Sequence, residues 1–476
     1  MSESNNSSLK SLLTASAPRF PAPLDPVCRP AICVWLAYAE QVGRTEDAEP
    51  ISLALEDADG RISRWDAMVL PPGNAEEATR HIVERAAKFL LWSRGGCTLH
   101  AGGDRKWGEM LQTLYAPDGP RAFDAELMER IFERPFKVRA CTPDEVPAAA
   151  ESATRVGGHL DGCRIGFDLG ASDYKLAAVR DGEPVFSTEI PWQPQTQSDP
   201  AYHFEKISEG LRLAASHLPR VDAIGGSSAG VYVNNRPMVA SLFRAVPQDR
   251  FSAEVQPMFE RLGREWGVPL VVINDGDVTA LAGAMSLSKP SMFGMAMGSS
   301  EAVGYLNMRG SITGWLNELA FAPVDLNPDA AADEWSGDRG VGALHFSQQA
   351  VNRLAAAAGF SFPEDMGLPE RLKQVQENAD AGDPAAARIF QTIGVYLGYS
   401  LPWYRLFYEY DDVLVLGRVT SGRGGEIILD TARDVLSREF PDIAAGVSIH
   451  VPDEESRRVG QAVAAASLPA LRSDGA

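Results

Sequence analysis

Apolar and polar positions change their rhythm three times along the chain. Residues 1–26 are rich in Ser, Pro and Asn and hold no sustained apolar period, which predicts a disordered tail. The next stretch alternates. "ISLALEDADGRISRWDAMVLP" reads as two strands around an Asp-Gly turn. "NAEEATRHIVERAAKFLLWSRGG" then switches to helical spacing, with Ile82, Ala86, Phe89 and Leu90 on one face and Gly95-Gly96 as the stop. "CTLHAGG" follows as a short strand. Residues 27–150 are therefore expected to form an α/β unit, whose role the sequence leaves open. It ends in the linker "DEVPAAAESATRVGGHLDG", rich in Ala, Gly and charge.

A second rhythm starts at Arg164. "RIGFDLGASDYKLAAVRDG" is a pair of apolar runs joined by Asp-x-Gly-x-Ser. A helix, "AYHFEKISEGLRLAASHL", and a strand entering a Gly/Ser loop, "VDAIGGSSAGVYVNN", come next. After the helix "EVQPMFERLGREWG", the strand "PLVVI" runs into "NDGD" and the helix "VTALAGAMSL". The C-terminal third carries a long apolar helix, "AARIFQTIGVYLGYSLPWYRLF", the strand "DVLVLG", a Gly-rich loop and another helix. Strands alternating with helices predict α/β layers, and no period of 20 to 50 residues marks a repeat array.

Charge narrows the partners. The 476 residues carry a net charge of −20, and no run of Lys and Arg interrupts it. Nucleic acid and anionic membrane surfaces both repel such a chain, so neither is expected as a partner. The five cysteines, Cys28, Cys33, Cys97, Cys141 and Cys163, are odd in number and never spaced C-x-x-C. That is reduced, cytosolic usage. The N-terminus lacks the apolar core of a signal peptide, and no run approaches the roughly 20 apolar residues of a membrane span. A cytoplasmic protein is expected.

Four stretches carry chemistry. In the first, small residues after Asp168 let backbone N–H groups approach phosphate oxygens, with Gly170, Ser172 and Lys175 in reach and Asp168 able to hold Mg²⁺. In the second, a buried strand ends at Asn274-Asp275, where a helix dipole favours an ionised carboxylate that could take a proton from a hydroxyl. Helix capping by Asp275 or Asp277 is the plainer explanation of the same residues. In the third, Gly298-Ser299-Ser300 forms a Gly/Ser turn between strands, a second phosphate cradle, and Glu318 follows Trp315, an aromatic face beside a carboxylate that suits a sugar. The fourth, Gly417-Arg418 at the end of a strand, could hold the adenosine end of a nucleotide.

The order of these pieces resembles the ROK family of bacterial sugar kinases and repressors, within the actin/hexokinase-type ATPases. "GVPLVVINDGDVTALAGA" carries the resemblance furthest, supported by "GFDLGASDYKLAAV", by "MAMGSS" through "GSITGWLNELA", and by "YLGYSLPWYRLFYEYDDVLVLG". It covers about residues 164–468. It implies an α/β, two-lobed actin-like (ribonuclease H-like) fold, with lobes at 160–290 and 291–476, a C-terminal helix returning, and an additional N-terminal α/β unit. It implies an ATP- and Mg²⁺-dependent sugar kinase in which Asp275 is the base, Asn274 and Glu318 are sugar ligands, and Asp168, Gly170 and Ser172 face phosphates and Mg²⁺. His345, in "GALH", falls where a further sugar-binding Glu is usual. A homodimer stays open as an assembly.

The departures from the family pattern also carry expectations. Phe321 stands where the family has the His that opens a Cys-rich zinc loop, and no cysteine follows Cys163, so no zinc is expected. Glu301 lies beside the second phosphate turn, where an ionised carboxylate would repel ATP. That residue supports the competing expectation, a sugar-binding sensor of the same fold that has lost efficient transfer. A DNA-binding repressor fits less well, because the N-terminal unit is acidic and shows no basic helix-turn-helix.

Overall fold

The structure, a computed structural model, describes residues 2–73, 75–151, 157–451 and 454–471. The N-terminal unit is built on strands β1 (Glu49–Glu56), β2 (Ile62–Val69), β3 (Thr98–Gly102) and β4 (Lys137–Cys141), ordered β2-β1-β3-β4. The β1–β2 hairpin closes over Asp57–Gly60, where Asp57 accepts from the Arg61 guanidinium at 2.5 Å. The helix Glu76–Arg94 buries the face formed by Ile82, Ala86, Phe89 and Leu90, and stops at Gly95. The middle of the expected linker, 152–156, lies outside the described residues.

The expected tail takes another form. Residues Ser2–Ala15 are helical and pack on the helices Ala31–Gly43 and Glu76–Arg94, with Leu12 fully buried. The chain beyond is tied down by backbone N–H groups, from Phe20 to the Tyr399 hydroxyl at 3.2 Å and from Leu24 to the Thr392 hydroxyl at 3.1 Å. A few well-placed apolar side chains, too sparse to show as a period, reach a core that other elements supply.

The first lobe has strands β5 (Cys163–Leu169), β6 (Asp173–Arg180), β7 (Glu183–Pro191) and β8 (Ala223–Ser228). A small hairpin, β9 (Val231–Val233) with β10 (Arg236–Val239), precedes β11 (Leu270–Asn274). The main sheet runs β11-β8-β5-β6-β7, parallel among β11, β8 and β5 and antiparallel beyond. In the second lobe, β12 (Met292–Met297), β13 (Glu301–Leu306), β14 (Asp412–Leu416) and β15 (Ser448–His450) run β13-β12-β14-β15. The C-terminal helix Glu454–Ala466 returns to the first lobe and lies on β5, β6 and β8. Its backbone sits so close that a Cβ on Gly166 or Gly225 would meet the carbonyl oxygen of Ala462 or Ala465 at 1.7 Å.

The N-terminal unit is not an appendage. Its apolar residues and those of the second lobe form one continuous core, whereas the first lobe has a core of its own. Phe89 packs against Phe407 and Trp403 at ring distances of 4.2 and 5.4 Å. Beside them, Asp338 of the second lobe receives Arg121, Lys88 and Arg85 at 2.6, 2.9 and 3.2 Å. Among the described residues no helix is long and apolar enough to cross a membrane.

Candidate functional site

β11 delivers its last residue to a helix start. Asn274 caps the helix Asp275–Leu287: its Oδ1 accepts from the Gly276 N–H at 2.7 Å, and its Nδ2 donates to the Gly230 carbonyl at 2.8 Å. Capping therefore falls to Asn274, and Asp275 and Asp277 are left for other work. Gly276 faces Gly304 of β13 so closely that a Cβ on Gly304 would meet the Gly276 carbonyl at 1.9 Å. The absence of both side chains lets the helix start press on the second lobe.

Asp168 reaches the same place from the end of β5. It is 8% exposed. Its Oδ1 accepts from the Ser227 hydroxyl at 2.6 Å, and Lys175, its cross-strand partner on β6, approaches Oδ2 at 3.4 Å. Burial, and then the charge of Asp168, push the Asp275 carboxyl up to about 6, while the Gly276 N–H and Lys175 act the other way. Two carboxyls from separate strands thus share one field.

Three more carboxyls extend the row. Asp277 accepts from the Tyr305 N–H at 3.2 Å and from Asn317 Nδ2 at 3.1 Å, and burial pushes it up to about 7. Glu318 is pushed up to about 8 by burial, with Asp275 and Asp277 adding to it. Glu301 is also raised to about 8, by burial first and then by Glu318, against the Tyr404 hydroxyl. Sequence alone offers Asp277 a capping role; in the fold it faces β13 and accepts from the Tyr305 N–H.

Glu301 behaves unlike the repelling charge expected beside the phosphate turn. Ser299 and Ser300 are exposed at the turn, and strand alternation then sends Glu301 inward, 3% exposed, with Tyr404 Oη 3.4 Å away. Burial disfavours its ionised form. Gly170 and Ser172 form the corresponding open turn after β5, closed by the Gly170 N–H on the Asp173 carbonyl at 3.0 Å. Gly298 is bonded to Ser300 in the same way at 3.0 Å.

Two cavities flank the row. One, of about 650 Å³, is lined by Asn274, Asp277 and Trp315, by Tyr232, and by Arg61 and Arg94 of the N-terminal unit. That unit also holds the Glu318 segment directly. The N–H groups of Leu316, Asn317 and Glu318 donate to the carbonyls of Arg94, Ser93 and Trp92 at 3.1, 3.1 and 3.0 Å. The Trp315 ring expected as a sugar platform is already engaged, stacked on Tyr305 at 5.1 Å with the Arg94 guanidinium 3.4 Å over it. The other cavity, about 410 Å³, lies between the helix Asp275–Leu287 and the end of β14, and is lined by Lys175, Thr279, Gly283, Leu416, Gly417 and Arg418.

Asp168, Lys175, Asp275 and Glu318 are thus brought together, and Gly417 and Arg418 join Lys175 at the second cavity. His345 is not part of this group. It is buried at 2% exposure with its ring 4.7 Å from that of Tyr396 and its Nε2 3.9 Å from Asp325. Its neighbours are Tyr396 and Asp325 of the second lobe, away from the row of carboxyls.

No protein-family model and no curated protein matches the sequence. Solved structures do. A ROK family transcriptional regulator, a homolog of the E. coli MLC protein, matches with a TM-score of 0.53 at 18% identity, over 65% of this chain and 78% of that one. A ROK hexokinase from Thermus thermophilus has a TM-score of 0.49 at 19% identity, over 64% and 97%. A ROK family glucokinase from Streptomyces griseus, in complex with glucose and AMPPNP, has 0.48 at 19%, over 64% and 98%. The fold is that of the ROK family, the two-lobed actin-like architecture, and part of this chain lies outside the likeness.

Proposed function

We propose that this chain, built on the ROK fold, transfers the γ-phosphoryl group of ATP to a hydroxyl of a sugar. The observation that carries this reading is Asp275, half-buried at a helix start beside Asp168, with its carboxyl raised to about 6. A base of that strength is ionised at neutral pH yet keeps useful affinity for a proton, which suits removal of a hydroxyl proton as the hydroxyl attacks phosphorus. The sugar would occupy the larger cavity, within reach of Asn274 and Asp277. The nucleotide would occupy the smaller one, with Lys175 and Arg418 countering phosphate charge.

Asp168 fits Mg²⁺, since it offers a carboxylate oxygen among like charges, the donor type that this ion favours. Bound there, Mg²⁺ would neutralise charge on the transferring phosphate. The chain's own part is positioning: Lys175 and Ser227 fix Asp168, and Asn274 fixes the helix that carries Asp275. The sensor reading loses some of its support, because Glu301 points inward and burial disfavours its charge. With a net charge of −20, a small molecule is a better partner than nucleic acid.

Release of ADP on a panel of sugars, measured with wild-type protein and Asp275→Asn, tests the proposal. Sugar-dependent ADP release by wild type alone supports it. Sugar binding without ADP release from any sugar leaves the sensor in its place.

A further inference from the structure

We propose that Cys28, Asp325 and His345 form a binding site for a divalent metal ion of the zinc type, joining the N-terminal segment to the second lobe. One donor atom from each lies within 4.8 Å of the other two, and all three residues are buried. Backbone pairing places them. The Ala31 N–H donates to the Val324 carbonyl at 2.9 Å and the Leu326 N–H to the Arg29 carbonyl at 2.8 Å, so Cys28 arrives beside Asp325. The Arg29 and Asn327 N–H groups both donate to Asp325 Oδ1, at 2.8 and 2.9 Å, and orient that carboxylate.

His345 supplies the second, independent observation. Its Nδ1 lies 2.8 Å from the Val341 carbonyl, which turns Nε2 toward Asp325 Oδ2, 3.9 Å away. That Nε2 is buried without a hydrogen-bond partner. A buried imidazole nitrogen with no donor in reach is costly. A metal ion would satisfy it, and an Nδ1–H held by a carbonyl is how ligating histidines are commonly oriented.

Charge and donor softness select the ion. Thiolate, imidazole and carboxylate together suit Zn²⁺, whereas Mg²⁺ and Ca²⁺ favour oxygen alone. Metal binding would release the thiol proton of Cys28. Asp25 does not compete for the ion, being engaged by Tyr396 and Arg353 at 2.6 and 3.0 Å. The expectation of no zinc counted cysteines after Cys163; here the sulfur comes from the N-terminal segment.

The test uses the full chain, stripped with a chelator, checked for folding by circular dichroism, and titrated with Co²⁺. One equivalent should produce thiolate-to-cobalt charge-transfer absorption, which Zn²⁺ abolishes by displacement. Cys28→Ser should lose that band, and His345→Gln should lose stoichiometric binding. If either variant fails to fold, the wild-type titration decides alone. Folded wild-type protein that shows no sulfur-to-cobalt band, or folded variants that keep it undiminished, would overturn the site. The readout is spectroscopic, so it stands or falls separately from kinase activity.

Discussion

The rings of Phe321 and Trp92 lie 4.5 Å apart across the boundary between the second lobe and the N-terminal unit. Phe123 and Trp335 complete the cluster, 5.7 and 5.2 Å from Phe321. Where the ROK resemblance leads one to expect a histidine opening a zinc loop, this chain has an aromatic contact to an added unit. Packing between units holds the Glu318 segment there.

Removing that contact should be expensive. Phe321→Ala deletes a buried ring and is expected to destabilise the chain by about 3–5 kcal/mol. Urea unfolding followed by tryptophan fluorescence measures it, and a loss below 1 kcal/mol would mean the cluster is incidental.

Asp338→Ala tests the same boundary through charge. It removes the carboxylate that Arg85, Lys88 and Arg121 share and leaves them only Glu84 and Asp124, and breaking a buried ion pair from one side costs about 3–5 kcal/mol. Those three cations hold the Asp338 carboxyl well below the usual range, and they outweigh the effect of its burial. A depressed carboxyl stabilises the fold above its unfolded pKa and loses that contribution as pH falls toward its folded value. Wild type should therefore lose stability in acid, and Asp338→Ala should show less of this loss.

The raised carboxyls predict the opposite trend on the other side. Asp275, Asp277, Glu301 and Glu318 titrate near 6, 7, 8 and 8 in the fold. The folded state thus holds protons that the unfolded chain has released, and stability should fall as pH rises from 5 to 8. Each such proton contributes a slope of up to about 1.4 kcal/mol per pH unit. Glu301→Gln should flatten the slope by one proton, as read from urea melts at each pH; an unchanged slope would show that Glu301 ionises as it does in solution.

For the base, Asp275→Asn should keep sugar affinity and lose about 10²–10⁴-fold in turnover. Wild-type kcat/KM should decline below pH about 6 as that carboxyl takes up its proton, a limb the variant should lack. Initial rates over pH 5 to 9 test both statements.

Lys175→Met should raise the KM for ATP and also move that acid limb to higher pH, because Lys175 lowers the proton affinity of Asp275. A change in KM with an unmoved pH profile would assign Lys175 to the nucleotide alone.

What the sequence revealed follows from locality. Asn274-Asp275 was readable because a strand, a cap and a helix start are written within a few residues, and Asp168 because a hairpin announces itself in the same way. The row from Asp168 to Glu301 was only partly readable. The inward turn of Glu301 depends on strand alternation after Ser300 and on Tyr404, over 100 residues away. The carbonyls of Trp92, Ser93 and Arg94 that hold residues 316–318 are main-chain groups, and no side-chain pattern encodes them. The neighbours of His345, Cys28 and Asp325, come together only through a backbone bridge between distant segments.

The C-terminal helix has a consequence for how the molecule is made. Gly166 and Gly225 sit in strands made well before the surface that covers them, residues 454–466. Until then one face of the first-lobe sheet is bare. The lobe that carries Asp168 and Asp275 therefore completes only once residues 454–466 have been made. A chain cut before that helix should expose that apolar face and be handled by the cell as an unfinished product, although every residue of the proposed site would already be in place.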